Sequence, residues 1–172
     1  MKRKVMVIED EPFTAMALEL DLRRAGHDVL GPAGTVAEAR RLLQQGLPDL
    51  VLIDINLQGG GDAIGLACEM TQGGVATLFV TGQAATARRH AYAALGLIAK
   101  PYDGRVVLRA IEYLARLQHG GVADDRPAGL ELFDAPRWRA ASETSGDPQP
   151  GPKPVMRSGI GAGSGFLPHA PH

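Results

Sequence analysis

The chain reads as an α/β protein built on a parallel sheet with helices on both faces. Five short segments, KVMVI, DVLGP, LVLID, TLFVT and GLIAK, are apolar and rich in β-branched residues, as buried strands are. Between them lie stretches whose apolar residues recur at helical spacing. The strands are apolar along their length rather than at every second residue, a pattern that arises when both faces of a sheet are covered. No repeat at a solenoid period is present.

Each helix has its own local cause. Pro12 suits a first turn, and Phe13, Met16, Ala17 and Leu20 form one apolar stripe, which predicts that this face is buried. Thr35 followed by Glu38 is a capping-box signature for a second helix running to about Gln45, with Gly46 as its stop. Asp62 can cap a third helix that ends at Gly73 and Gly74. Residues 84–95 predict a fourth. Val107, Ala110, Ile111 and Leu114 stripe a fifth.

Composition excludes several classes. With 45% apolar residues and a formal net charge of -1, the 172-residue chain suits one ordinary domain. No apolar stretch approaches the roughly 18 residues of a membrane span, and MKRK leads into VMVI and acids rather than a signal-peptide core. The single cysteine, Cys68, cannot form an internal disulfide and reads as a small packing residue. A cytoplasmic protein without membrane contact is expected. Eight of the twelve prolines and nine of the twenty-two glycines fall between Gly120 and His172. The expected organisation is therefore a folded domain over 1–119 and a disordered tail over 120–172. Neither part carries the basic excess of a nucleic-acid footprint.

The chemistry gathers at strand ends. VMVI runs straight into Glu9, Asp10 and Glu11; Asp54 closes LVLID, Thr81 closes LFVT and Lys100 closes LIAK. In an open parallel sheet these groups share the carboxyl edge, where ligands bind. Carboxylates held together repel unless a cation sits among them, and hard oxygen ligands suit Mg²⁺. Glu11 fits the acidic start of a helix. The histidines have no metal-like spacing, the arginine pairs read as solvated helix faces, and the glycine run at 59–61 lacks the Lys-Ser/Thr of a phosphate loop.

Four motifs, VIEDEP, LVLIDINL, FVTG and AKPY, stand in this order at strand ends, and together they resemble the receiver domains of two-component response regulators. The resemblance covers residues 4 to about 119. It implies a doubly wound, flavodoxin-like sheet with strand order 2-1-3-4-5. It implies that Asp54 accepts a phosphoryl group from a sensor histidine kinase or phosphotransfer protein. Glu9, Asp10, Asp54 and the main-chain oxygen of Asn56 would hold Mg²⁺, with Lys100 and Thr81 contacting the phosphoryl oxygens. A sharp turn, with a cis bond, is expected at Pro101. Such a single-domain regulator catalyses only its own phosphorylation and dephosphorylation. It would signal through protein contacts, a homodimer among them, and not through DNA.

Departures accompany the match. Leu97 stands where the family usually has an aromatic switch residue, and the loop after Asp54 carries Gln58 and three glycines. The FVTG segment, the glycine loop and a compact fourth helix together resemble a branch of stand-alone receivers from alphaproteobacteria. Two alternatives stand beside this reading. An interaction-only pseudo-receiver would lack the phosphoryl chemistry, for which every group is present here. A flavin-binding flavodoxin-like protein would need hydroxyls and glycine amides after the first strand, where EDEP stands. Within the tail, GLELFDAPRWR is the one local mix of apolar, aromatic and basic residues, a candidate docking segment in an otherwise linker-like stretch.

Overall fold

The structure, a computed structural model, describes residues 1–120 and 125–133. β1 (Lys4–Ile8), β2 (Asp28–Ala33), β3 (Leu50–Ile53), β4 (Ala76–Thr81) and β5 (Gly96–Ala99) alternate with α1 (Pro12–Arg24), α2 (Val36–Leu43), α3 (Ala63–Gln72), α4 (Ala84–Arg89) and α5 (Gly104–Gln118). The five strands are parallel and lie in the order β2-β1-β3-β4-β5.

Alternation along the strands divides the core in two. Val5, Val7, Leu50, Leu52, Leu78, Val80 and Ile98 point to one face, where Leu18 and Leu22 of α1 and Val107, Ile111 and Leu114 of α5 cover them. Met6, Ile8, Val51, Ile53, Phe79 and Leu97 point to the other, under α2, α3 and Ala87 of α4. Burying one such side chain is worth about 1.5–3 kcal/mol, so both layers are needed to hold a sheet this narrow. Two of the helix caps have the expected chemistry. Thr35 Oγ1 accepts from Glu38 N at 3.1 Å, and Asp62 Oδ1 accepts from Gly65 N at 2.7 Å. Gly46 follows α2 with φ +130°, a left-handed value suited to glycine.

Three expectations are corrected. The apolar stripe of α1 faces outward: Phe13, Met16 and Leu20 are 76%, 59% and 46% exposed, while Ala15, Leu18 and Leu22 are buried. The sequence offers two stripes, and the helix start chooses between them. Glu11 caps α1 by accepting from Phe13 N at 3.2 Å and Thr14 N at 2.6 Å, which turns Phe13 away from the sheet.

The fourth helix stops at Arg89 rather than running to residue 95. His90 leaves helical geometry, Ala91–Ala93 form a 3₁₀ turn, and Leu95 N already bonds Thr77 O at 2.8 Å. Sheet pairing overrides the helical preference of the alanines there.

The sheet has a sixth strand. β6 (Leu130–Leu132) lies beyond the expected domain boundary and pairs antiparallel with β5. It is three residues long and sits inside a Pro/Gly-rich stretch, so composition masks it. The rest of the expected tail, 121–124 and 134–172, lies outside the described residues.

Candidate functional site at the carboxyl edge of the sheet

The β1–α1 turn brings Glu9 and Asp10 to the end of β1, and β3 delivers Asp54 beside them. One carboxylate oxygen from each of the three lies within 4.8 Å of the others. Glu9 and Asp54 are only 5% and 6% exposed, whereas Asp10 is half-buried. The side chain of Glu11, third in the acidic run, turns instead to the cap of α1.

Lys100, at the end of β5, supplies the counter-charge. Its Nζ donates to Glu9 Oε2 at 2.5 Å and to Asp54 Oδ2 at 2.7 Å. Burial pulls the ammonium toward its neutral form, but hydrogen bonds and charge from Asp54 and Glu9 outweigh it, so its pKa is raised. For Glu9 the balance runs the other way: burial raises its pKa despite the bond to Lys100. A buried carboxylate with one ammonium shared between two acids is short of positive charge. The Lys100–Pro101 bond is cis, as expected for the turn, and Gly31–Pro32 is also cis.

Main-chain amides fix the remaining oxygens. Asn56 N donates to Asp54 Oδ1 at 2.9 Å, Gln58 N to Asp10 Oδ2 at 2.8 Å and Glu11 N to Glu9 Oε1 at 3.2 Å. Thr81 is fully buried at the end of β4, and its Oγ1 accepts from Gln83 N at 3.1 Å at the entry to α4. Of the residues expected in the site, Glu9, Asp10, Asp54 and Lys100 thus form one connected cluster. Asn56 joins through its N–H, and Thr81 stands at the neighbouring strand end.

Two participants were not singled out from the sequence. Gln58 contributes only its main-chain amide, which no side-chain pattern can reveal. Tyr102 lines a cleft of about 510 Å³ with Thr14, Ala17, Asp21 and Lys100. Burial and the nearby Glu9 charge raise its phenol pKa. Its signal was the AKPY motif itself, where the aromatic follows the lysine–proline turn. The donor set, three carboxylates converging on one point with too little positive charge among them, fits a hard divalent cation such as Mg²⁺.

A doubly wound parallel sheet with three acids and a lysine gathered at its carboxyl edge is an architecture of the receiver type. The chain belongs to the response regulator receiver domain family, whose match spans residues 5–112. It is similar to the phyllosphere-induced regulator PhyR of Methylorubrum extorquens, with 38% identity over 65 residues, 37% of this chain and 24% of that protein. It is 30% identical over 114 residues to the transcriptional regulatory protein PdtaR of Mycobacterium tuberculosis, covering 64% of this chain and 55% of PdtaR. The chain therefore spans well under two thirds of the length of these relatives. Among solved structures, the receiver domain of Erythrobacter litoralis PhyR superposes with a TM-score of 0.58 at 30% identity, covering 71% of this chain and 96% of that one. The receiver domain of a modulated diguanylate cyclase from Desulfovibrio desulfuricans gives 0.58 at 30% identity, over 65% and 92%. Among the described residues no helix is long and apolar enough to cross a membrane.

Proposed function

We infer that the protein is a phosphoacceptor switch: Asp54 takes a phosphoryl group from a phosphohistidine on a sensor kinase or phosphotransfer protein and passes the signal on through protein contacts. The observation that carries this is the setting of Asp54, whose two oxygens are held separately by Asn56 N and Lys100 Nζ with Glu9 and Asp10 alongside. In the transfer, an Asp54 oxygen forms a bond to phosphorus as the bond from phosphorus to the donor nitrogen breaks. Positioning and charge neutralisation are what such a transfer demands of the protein.

Glu9, Asp10, Asp54 and the main-chain oxygen of Asn56 would hold Mg²⁺. The ion would neutralise charge between these carboxylates and the incoming phosphoryl oxygens. Lys100 turns from the carboxylates to a phosphoryl oxygen, and the Thr81 hydroxyl donates to another, giving up its contact with Gln83 N. That exchange links the site to α4.

The outward stripe of α1 supports a helical donor as partner. Phe13, Met16, Ala17 and Leu20 are exposed, and Ala17 also lines the cleft that reaches Lys100. An apolar stripe of this spacing suits an amphipathic helix. Incubation with acetyl phosphate tests the inference: the chain takes up phosphoryl groups when Mg²⁺ is present and loses uptake when it is chelated. Absence of uptake under both conditions would leave the interaction-only module as the better reading.

A further inference from the structure

The segment from Asp54 to Asp62 crosses from the end of β3 to the cap of α3. Its Ile55 and Leu57 side chains pack against the core layer under α2 and α3. Asn56 N and Gln58 N point the other way, to Asp54 Oδ1 at 2.9 Å and Asp10 Oδ2 at 2.8 Å. Gly59, Gly60 and Gly61 then follow directly, and they lie along the start of α2.

Gly59 rests on the cap of that helix. A Cβ there would run into the Thr35 Cγ2 methyl, while the next atoms, Thr35 Cβ and Gly34 O, stand at ordinary contact of 3.4 and 3.5 Å. Thr35 cannot turn the methyl aside without giving up the cap, because its Oγ1 accepts from Glu38 N and a β-branched side chain is stiff at χ1. Gly60 and Gly61 have left-handed backbones, at φ +75° and +101°, but Gly59 does not, so the contact with Thr35 is what demands glycine at this position. Gly61 repeats the close approach, where a Cβ would stand 2.8 Å from Val36 Cβ.

This seat decides where the Gln58 N–H points. Glu9 and Asp54 are each held by Lys100 as well as by a main-chain amide, whereas among the described residues the Asp10 carboxylate takes its hydrogen bond from Gln58 N alone. Asp10 is also the most exposed of the three acids, so its placement depends on the segment.

We propose that Gly59 is a positioning residue for the metal site, a role that rests on the Mg²⁺ reading of the cluster given above. By letting the segment lie against Thr35, it keeps Gln58 N on Asp10 and so fixes the acid that Lys100 does not hold. Outer partners of a metal ligand are worth about 10–100-fold in metal affinity, and Gly59 acts through such a partner.

The test is a Mg²⁺ titration of the full chain followed by amide NMR, with amide hydrogen exchange of the metal-free protein as a second readout. Gly59→Ala binds Mg²⁺ about tenfold more weakly than wild type, and its Gln58 amide exchanges faster before any metal is added. Thr35→Ser keeps the capping hydroxyl and removes the methyl, so it binds like wild type. Gly59→Ala/Thr35→Ser recovers both the affinity and the Gln58 protection. Equal affinity in wild type and Gly59→Ala would overturn the proposal, as would a loss that Thr35→Ser does not restore, since the added methyl would then act by stiffening the loop. Wild type that binds no Mg²⁺ would overturn the metal reading itself and this role with it, a result distinct from any change confined to the Gly59 variants.

Discussion

Lys100 Nζ sits 2.7 Å from Asp54 Oδ2 while also bonded to Glu9, so a single ammonium is shared between two buried acids. Removing it changes what the metal is worth. In Lys100→Met the metal-free protein is less stable, because a buried carboxylate left unpaired costs several kcal/mol at most sites. Added Mg²⁺ then raises its Tm by more than it raises that of wild type. In Glu9→Gln/Asp10→Asn the Mg²⁺ shift vanishes, where wild type gains about 2.7 kcal/mol at 100-fold excess over Kd. Thermal melts with and without Mg²⁺ check all three proteins. An undiminished shift in the double amide variant would remove Glu9 and Asp10 from the metal site.

We propose that Thr81 reports the phosphoryl state. Its hydroxyl is buried and engaged with Gln83 N, so drawing it toward Asp54 releases the first turn of α4. Thr81→Ala is expected to accept phosphate but to lose most of the change in hydrogen exchange over residues 82–97. Leu97, fully packed under α4, cannot swing outward as an aromatic can, and Leu97→Ala should alter the size of the response without abolishing it. A wild-type response from Thr81→Ala would send the signal by another route, first of all the glycine loop at 59–61.

Phe13 and Met16 touch little of their own domain. Phe13→Ala/Met16→Ser should change stability by no more than about 0.5 kcal/mol, the range of ordinary surface changes. Labelling by acetyl phosphate stays as in wild type, while transfer from a phosphorylated histidine donor slows. Equal slowing with both donors would mean that the stripe serves the site itself and not a partner.

His27 supplies a pH dependence away from the acidic cluster. It is buried, and Arg3 N donates to its Nδ1 at 3.3 Å, a contact only the neutral ring accepts. Burial, with the positive N-terminus, lowers its pKa below 6.5. A group that binds its proton more weakly when folded gives stability above its unfolded pKa and loses it as pH falls from about 6.5 toward the folded value. Melts of wild type and His27→Gln between pH 7.5 and 5.5 should therefore converge as pH drops. Parallel profiles would show that another group carries the acid sensitivity.

Much of this was legible in the residues. The strands, the caps at Thr35 and Asp62 and the four strand-end motifs depend on local chemistry, and all appear where the sequence puts them. The outward turn of α1 was not legible, because two stripes of helical spacing compete and a cap decides between them. The early end of α4 was hidden for the same kind of reason: Leu95 is claimed by the sheet, a contact far away in sequence. β6 combines both difficulties, a strand too short to show a period in a stretch whose composition points the other way. Within the site, the side chains were readable and the main-chain donors of Asn56 and Gln58 were not.

Asp54 and Glu9 are each held by Lys100 and a main-chain amide, and of the two we propose Asp54, at the end of β3 in LVLIDINL, as the acceptor. Intact mass after treatment with acetyl phosphate and Mg²⁺ is the most direct check. Wild type should gain one phosphoryl group and Asp54→Asn none, while a labelled Asp54→Asn would assign the nucleophile to another residue.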